Sequence, residues 1–389
     1  MSLTHHKKSE NCWTLSPEIG YLAPKVLTTP MKNIFFTPGP AELYFTVGDH
    51  IKRALAEQIP SISHRSRQFE DIYREAATNL RSLLAIPNSF HVLFTGSATE
   101  IWERLIQNCV AEQSYHYVNG AFSRRFYETA ELLHRKALLQ EAPDGSCVSP
   151  MPDKIPDTTE LIAFTQNETS TGAAQPLEDI YTIRQAHPDK LIAVDAVSTL
   201  PYPAIDYSQV DSVFFSVQKG FGLPAGLGVW VVNDRCVEKA QQLAQEGHSI
   251  GTYHSLPALL AKAKKNQTPE TPNVLAIYLL AKVTGDMLTK GIDQIRKETD
   301  YKASLLYHTL EEHPLLSPFV QDKKYRSKTV IVADSTSSPS DIISALKQTH
   351  VIIGSGYGNY RQQHIRIANF PTHSKEQVEV LVDRINAIK

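Results

Sequence analysis

Between Leu191 and Val232 the chain reads LIAVDAVSTLPYPAIDYSQVDSVFFSVQKGFGLPAGLGVWVV, and few folds accommodate such a stretch. An apolar run, Leu191 to Val194, delivers an acid, Asp195. A second, Val213 to Val217, delivers Gln218 and Lys219. A loop rich in Gly and Pro then leads to a third run, Leu227 to Val232. Short β-branched and aromatic runs of this kind read as buried strands. Charged residues at their ends gather at one edge of a sheet, where open α/β folds place their sites.

An acid and a lysine presented together suit pyridoxal phosphate chemistry. The amine forms a Schiff base with an aldehyde, and the acid keeps a pyridine nitrogen protonated so that the ring accepts carbanion electrons. The same pair is equally an ordinary strand-end Asp and a surface Lys, and this stretch alone does not separate the two readings.

The remainder of the chain narrows the choice. Its 389 residues suffice for one large domain or two, and 39 Lys plus Arg against 41 Asp plus Glu give no electrostatic case for a nucleic-acid or membrane-surface partner. Cys12, Cys109, Cys147 and Cys236 are scattered, with no CxxC pair and no Cys/His metal spacing. That argues against a disulfide frame or a metal site and for a reducing compartment, so a cytoplasmic location is expected. No apolar run approaches the roughly 18 residues of a membrane span. The first 32 residues are polar and unpatterned, lack the apolar centre of a signal peptide, and are expected to be poorly ordered, with Met31 an alternative start.

Patterned sequence begins after Asn33 with IFFTPGPAEL, in which Pro38, Gly39 and Pro40 make a rigid turn. Helices are predicted over 47–58 and 68–84. Between them His64 and Arg65 form a candidate anion clamp, or simply solvated loop charge. A strand at 91–95 feeds GSATE and a helix over 100–110. The N–H groups of Ser97, Ala98 and Thr99 there make a natural phosphate seat, while Ser97 or Thr99 also suits an N-cap. A strand at 114–118 leads to NGAFSRRF, where Phe122 suits either a ring stack or plain packing. A strand at 161–165 leads to QNETSTG, with Thr169 at its end, and a helix spans 177–186.

This βαβ alternation predicts a mostly parallel sheet between two layers of helices. QTPETPN breaks the chain at two prolines, and the expected division falls there: a large domain over 33–272, and a smaller α+β domain over 273–389 to which the first segment also reaches. In the latter, helices are predicted over 274–290, 292–308, 340–349 and 375–388, with strands at 329–333, 351–353 and 364–368. GSGYGN (354–359) lacks the third glycine of GxGxxG and reads as a flexible hairpin.

Taken in order, TPGPAEL, SHRSRQF, VLFTGSATE, VNGAF, QNETSTG, VDAVSTL, SVQKGFGLPAG, QTPETP and HIRIANF resemble the class V aminotransferases among the fold-type I pyridoxal-phosphate enzymes, most of all their phosphoserine branch, which serves serine biosynthesis. The resemblance runs from Phe35 to Lys389 and implies a large domain whose mostly parallel sheet is of the seven-stranded type. It implies Lys219 as the Schiff-base lysine and Asp195 as partner of the pyridine nitrogen. Phe122 would stack on the ring and Thr169 would lie near its hydroxyl. Ser97, Ala98, Thr99 and Gln218 would hold the phosphate, joined by Gln267 and Thr268 from a second subunit of a homodimer with shared sites. Arg366 would bind the substrate α-carboxylate, and His64 and Arg65 its distal anion. The activity implied is ping-pong transfer of an amino group between an amino acid and a 2-oxo acid, with pyridoxal 5′-phosphate and no metal.

Some residues depart from that branch. The His-Arg pair expected just ahead of the carboxylate arginine is out of register, its nearest candidates being Arg361 and His364, and the phosphate seat has Ser-Ala-Thr where glycines are common. VDAVSTL and ETSTG lean towards serine– or alanine–glyoxylate aminotransferases. A cysteine desulfurase is disfavoured, because no cysteine follows Cys236 and Gln218 stands where such enzymes carry His. A nicotinamide dehydrogenase lacks its glycine fingerprint, and an inert scaffold has no use for the Asp195/Lys219 pair.

Overall fold

The computed structural model describes residues 32–389, so expectations about the segment before Met31 lie outside the described residues. In chain order the elements are β1 (Ile34–Phe36), α1 (Val47–Ala56), α2 (Arg67–Leu84), β2 (Phe90–Thr95), α3 (Ala98–Cys109), β3 (Gln113–Val118), α4 (Ala121–Leu132) and β4 (Lys136–Glu141). Next come β5 (Leu161–Thr165), β6 (Asn167–Glu168), β7 (Ala173–Ala174), α5 (Leu177–Ala186), β8 (Leu191–Asp195), β9 (Ser212–Ser216), β10 (Gly228–Asn233), α6 (Asp234–Gln245) and α7 (Leu256–Ala263). The last part holds α8 (Val274–Lys290), α9 (Ile292–Glu312), β11 (Leu316–Pro318), β12 (Val330–Ser335), α10 (Pro339–Gln348), β13 (Val351–Ser355), β14 (His364–Ala368) and α11 (Lys375–Asn386).

The seven-stranded sheet has the order β2-β10-β9-β8-β5-β3-β4, and β10 alone runs antiparallel to both its neighbours. Its central strands read as unbroken apolar runs because helices cover both faces. Val213 and Phe215 of β9 point into a core shared with α2 and α8, while Phe214 between them points into the core beneath α3 and α4. Each such buried side chain contributes about 1.5–3 kcal/mol through loss of water contact. The expected mixed architecture with a mostly parallel sheet is what these residues build.

A second sheet, β1-β13-β14-β12-β11, carries α9, α10 and α11 on its core face. Here β1 pairs parallel with β13, so the first described strand joins the last part of the chain. Helix α8 follows the two prolines of QTPETP, yet its Ile277, Leu280 and Ala281 sit in the same core as Leu80 and Leu83 of α2. Asn273 caps it by accepting from Ala276 N at 3.0 Å.

Besides the short strands β1, β6, β7 and β11, two longer stretches escape sequence reading. β4 lies at the sheet edge, and its only apolar residues, Ala137, Leu138 and Leu139, are all partly exposed. The helices α6 and α7 fill the span between β10 and the QTPETP break, where no helix was predicted. Among the described residues no helix is long and apolar enough to cross a membrane, and no group of three or more His, Cys, Asp or Glu is arranged to hold a metal.

Candidate active site

The parallel strands β3, β5, β8 and β9 all end at the same edge of the large sheet, and the chain segments leaving that edge enclose one cavity. Its volume is about 100 Å³. Asp195 enters as the last residue of β8. Its Oδ1 accepts from Val197 N at 2.9 Å and its Oδ2 from the Trp102 indole at 2.8 Å. Burial pushes this carboxyl up to about 6, while the two N–H donors and the Lys219 ammonium pull the other way.

Lys219 follows β9 on the same side, only 7 % exposed, and donates to Thr169 Oγ1 at 3.0 Å. Burial brings its ammonium down to about 8, against the attraction of Asp195 and Glu168. A fraction of the amine is therefore neutral, and nucleophilic, near physiological pH. The turn at Pro38, Gly39 and Pro40 lies against its stem. Gly39 has φ +138°, and a Cβ there would sit 2.8 Å from Lys219 Cε. Ala41 N fastens this turn by donating to Gln218 O at 3.0 Å.

Phe122 sits in the first turn of α4, its ring centroid 5.4 Å from Lys219 Nζ. The helix start is held by Glu168, which is fully buried. Its Oε2 accepts from Phe122 N, Ser123 N and Ser123 Oγ at 3.1, 2.9 and 3.0 Å; its Oε1 accepts from Ser170 N and Oγ at 3.0 and 2.7 Å. A carboxylate among orphan N–H groups at a helix N-terminus is favourable for both. Gly120 makes room for it, since a Cβ there would lie 2.5 Å from Glu168 Cγ.

At the start of α3, Ser97 is the N-cap, accepting from Glu100 N at 3.1 Å, so its hydroxyl serves its own helix. Ala98 N donates to Ser216 Oγ at 2.8 Å. Thr99, at the second helical position, has no intrahelical acceptor for its N–H and lines the cavity. Gln218 Oε1 and Thr165 Oγ1, which line it too, are buried without hydrogen-bond partners. Orphaned polar atoms, an N–H at a helix start, an aromatic face, an acid and an amine together fit a flat phosphorylated aldehyde such as pyridoxal phosphate.

Arg366, on β14, reaches the site from the second sheet. Its Nε donates to Ser355 O at 2.7 Å and its Nη1 to Thr169 O at 3.2 Å. Tyr357 lies between it and Phe122, with the guanidinium 5.3 Å from the Tyr357 ring and the two rings 5.1 Å apart. Thus GSGYGN connects β13 to β14, as a hairpin should, and also supplies a side chain to the site.

Seven of the expected residues line the one cavity: Ala98, Thr99, Phe122, Thr169, Asp195, Gln218 and Lys219. His64, Arg65, Gln267 and Thr268 lie together outside its lining. Arg65 Nη1 donates to Gln267 Oε1 at 3.0 Å and to Thr268 O at 2.6 Å, and its Nη2 to Pro269 O at 2.9 Å. Its guanidinium is thereby occupied within its own chain. Sequence reading passed over Trp102, although a buried indole N–H calls for a partner, and Glu168, although it stands beside Thr169. Tyr357 was hidden in a glycine-rich loop.

Residues 127–379 match the profile of the family described as Aminotransferase class-V. A solved phosphoserine aminotransferase from Cytophaga hutchinsonii is 52 % identical, covers 92 % of this chain and 99 % of its own, and superposes with a TM-score of 0.89. A phosphoserine aminotransferase from Rhodococcus opacus is 28 % identical over 83 % of this chain and 87 % of its own length. An alanine–glyoxylate aminotransferase from Nostoc shares the fold at 22 % identity, with a TM-score of 0.79 over 94 % of this chain and 97 % of its own.

Proposed function

The chain belongs to the class V aminotransferases, and from that premise we propose that it moves an amino group between phosphoserine and a 2-oxo acid, 2-oxoglutarate in the first instance, using pyridoxal 5′-phosphate. One observation carries the reading: Lys219 and Asp195 line the same buried cavity, with Phe122 beside the amine. The choice of phosphoserine is supported by the enzyme of that name at 52 % identity over nearly the whole chain.

Pyridoxal phosphate, when bound, supplies an aldehyde that forms a Schiff base with an amine and a protonated ring that draws electrons from the substrate Cα. The chain does the rest. Asp195 would hold a proton on the ring nitrogen, and the Trp102 and Val197 N–H groups keep that carboxylate aimed. Phe122 would stack on the ring and Thr169 would lie near its hydroxyl, while Thr99 and Gln218 would hold the phosphate. Arg366 binds the substrate α-carboxylate, its guanidinium oriented by Ser355 O and Thr169 O. Lys219 Nζ, brought down to about 8, would take the proton from the donor's Cα in the first half-reaction and return one to the acceptor's Cα in the second. Burial of both Lys219 and Asp195 keeps water from competing for that proton.

The family resemblance gives Gln267 and Thr268 to the phosphate site of a second copy, in a homodimer with shared sites, and their position outside their own chain's cavity lining is compatible with that role. Arg65, which binds that segment, acts at least partly by shaping it. Its occupied guanidinium keeps a glyoxylate-type acceptor, with no distal anion, as the second reading.

The test is direct. Purified protein should show a near-visible absorbance band that borohydride abolishes, and Lys219→Ala should lose both the band and turnover. Given glutamate as common donor, the enzyme should use phosphohydroxypyruvate in preference to glyoxylate; the reverse preference would select the second reading. Residual turnover of Lys219→Ala near the wild-type rate would defeat the assignment altogether.

A further inference from the structure

His254, in the loop ahead of α7, is 8 % exposed and stands between two carboxylates. Its Nδ1 makes a short contact with Glu100 Oε1, and its Nε2 lies 2.9 Å from Glu270 Oε2, an ion-pair distance at which the two atoms are not aligned for a hydrogen bond. A neutral imidazole has one N–H and one lone pair. In the neutral form one of these carboxylates would therefore face a lone pair, and only the imidazolium answers both.

What the two acids are attached to gives the cluster its meaning. Glu100 is the third residue of α3. Its Oε2 accepts from Gly96 N at 2.9 Å and its own N–H goes to Ser97 Oγ at 3.1 Å, so it braces the turn from Gly96 to Thr99. Glu270 lies in QTPETP, and its carbonyl accepts from Thr268 Oγ1 at 2.8 Å. A continuous polar path therefore runs from the phosphate turn through Glu100, His254 and Glu270 to Thr268. These residues are far apart in sequence: 154 positions separate Glu100 from His254.

We propose that His254 is a positioning residue that locks the Gly96–Thr99 phosphate turn to the Gln267–Glu270 segment, so that one charged ring sets its own chain's part of one phosphate site and the part donated to its neighbour's. The inference rests on the pyridoxal phosphate reading above, and His254 itself touches neither cofactor nor substrate. Because the homodimer reading gives the segment to the neighbouring site, the same ring ties one phosphate seat to the other.

The groups facing this bridge set its pH range. On its own loop the Tyr253 ring packs 4.5 Å away. From α3 come Glu100 and, behind it, Arg104. From the segment comes Glu270, itself within reach of Tyr73 of α2 and of His64. Burial opposes the charge on His254, but its hydrogen bonds and attraction to Glu100 and Glu270 prevail and lift it to about 9. The bridge is thus intact at neutral pH and lost as pH rises through about 9.

The test compares Lys219→Ala with Lys219→Ala/His254→Gln, so that covalent capture does not mask affinity. Dissociation constants for pyridoxal phosphate and for pyridoxal, which lacks the phosphate, are measured by fluorescence quenching across the alkaline range. Loss of a charge-assisted bridge should weaken pyridoxal phosphate binding roughly tenfold at neutral pH, leave pyridoxal unchanged, and remove a weakening near pH 9. His254→Arg, which offers two donors, should restore most of the affinity. Equal weakening for both ligands, or none, overturns the proposal. Should His254→Gln not fold, the single variant still decides: no alkaline step specific to the phosphorylated ligand refutes the bridge. Absence of a borohydride-sensitive band in the wild type would instead fell the reading on which it rests.

Discussion

Trp102→Phe isolates one hydrogen bond in the site. The substitution keeps an aromatic ring against Phe126, where the stacked centroids are 5.7 Å apart, and deletes the N–H that reaches Asp195 Oδ2 at 2.8 Å. Asp195 is 3 % exposed, so water does not replace the donor, and Val197 N is left as its backbone partner. A hydrogen bond to a buried charged acceptor contributes about 1.5–3 kcal/mol. At about 1.4 kcal/mol per pKa unit, its loss raises the carboxyl by about one to two units, starting from about 6 in the unloaded protein. Two measurements follow. In the unloaded wild type the folded carboxyl holds its proton to higher pH than the unfolded chain does, so stability falls as pH rises from the ordinary carboxylate range through about 6. In Trp102→Phe that decline should extend about one to two pH units further, read as melting temperature against pH. In the loaded enzyme a carboxyl reluctant to ionise is a poor partner for a protonated ring nitrogen, so kcat should drop on the order of tenfold. The KM of the amino donor should change little. A constant offset in melting temperature at every pH, with kcat intact, would show Trp102 to be packing alone and refute the reasoning.

Other outcomes follow from the same geometry. Glu168→Gln leaves one end of the fully buried side chain unable to accept, orphaning N–H or hydroxyl groups at the start of α4. It should cost about 1–3 kcal/mol in denaturant unfolding and weaken cofactor retention by loosening Phe122; unchanged stability would sink that account. Arg366→Lys keeps charge but loses the fork held by Ser355 O and Thr169 O. It should raise KM for amino and 2-oxo acid alike by about tenfold or more with a smaller effect on kcat, and unaltered KM for both would remove Arg366 from the carboxylate site. Gly220→Ala would place a Cβ 1.9 Å from Leu200 O. The backbone next to Lys219 must then move, and both folding yield and turnover should fall; a fully active, equally stable variant would contradict the packing.

The legible part of this protein is what short-range pattern encodes. Val213–Phe215 and Val229–Val232 are apolar at every position because both faces of their sheet are covered, and that signal needs no knowledge of the covering helices. Asp195 and Lys219 stand at strand ends, and parallel strands end on one side, so their meeting follows from topology alone. Helices α5 and α8 span the predicted 177–186 and 274–290.

Tertiary packing decided the remainder, because a hydrogen-bond partner is chosen by proximity in space. Nothing in the local pattern of α3 assigns the Trp102 indole to an acid 93 residues away. The same holds for Arg125 Nη2, which donates at 2.9 Å to a Tyr357 hydroxyl 232 residues on. Edge strand β4 carries only the triplet Ala137–Leu139, none of it fully buried, too short an apolar run to mark a strand. His254 reads as a loop histidine until folding sets it between Glu100 and Glu270, where two carboxylates make it a cation. Periodicity is a property of neighbouring residues and survives in the sequence, whereas desolvation and charge pairing exist only once distant segments have met.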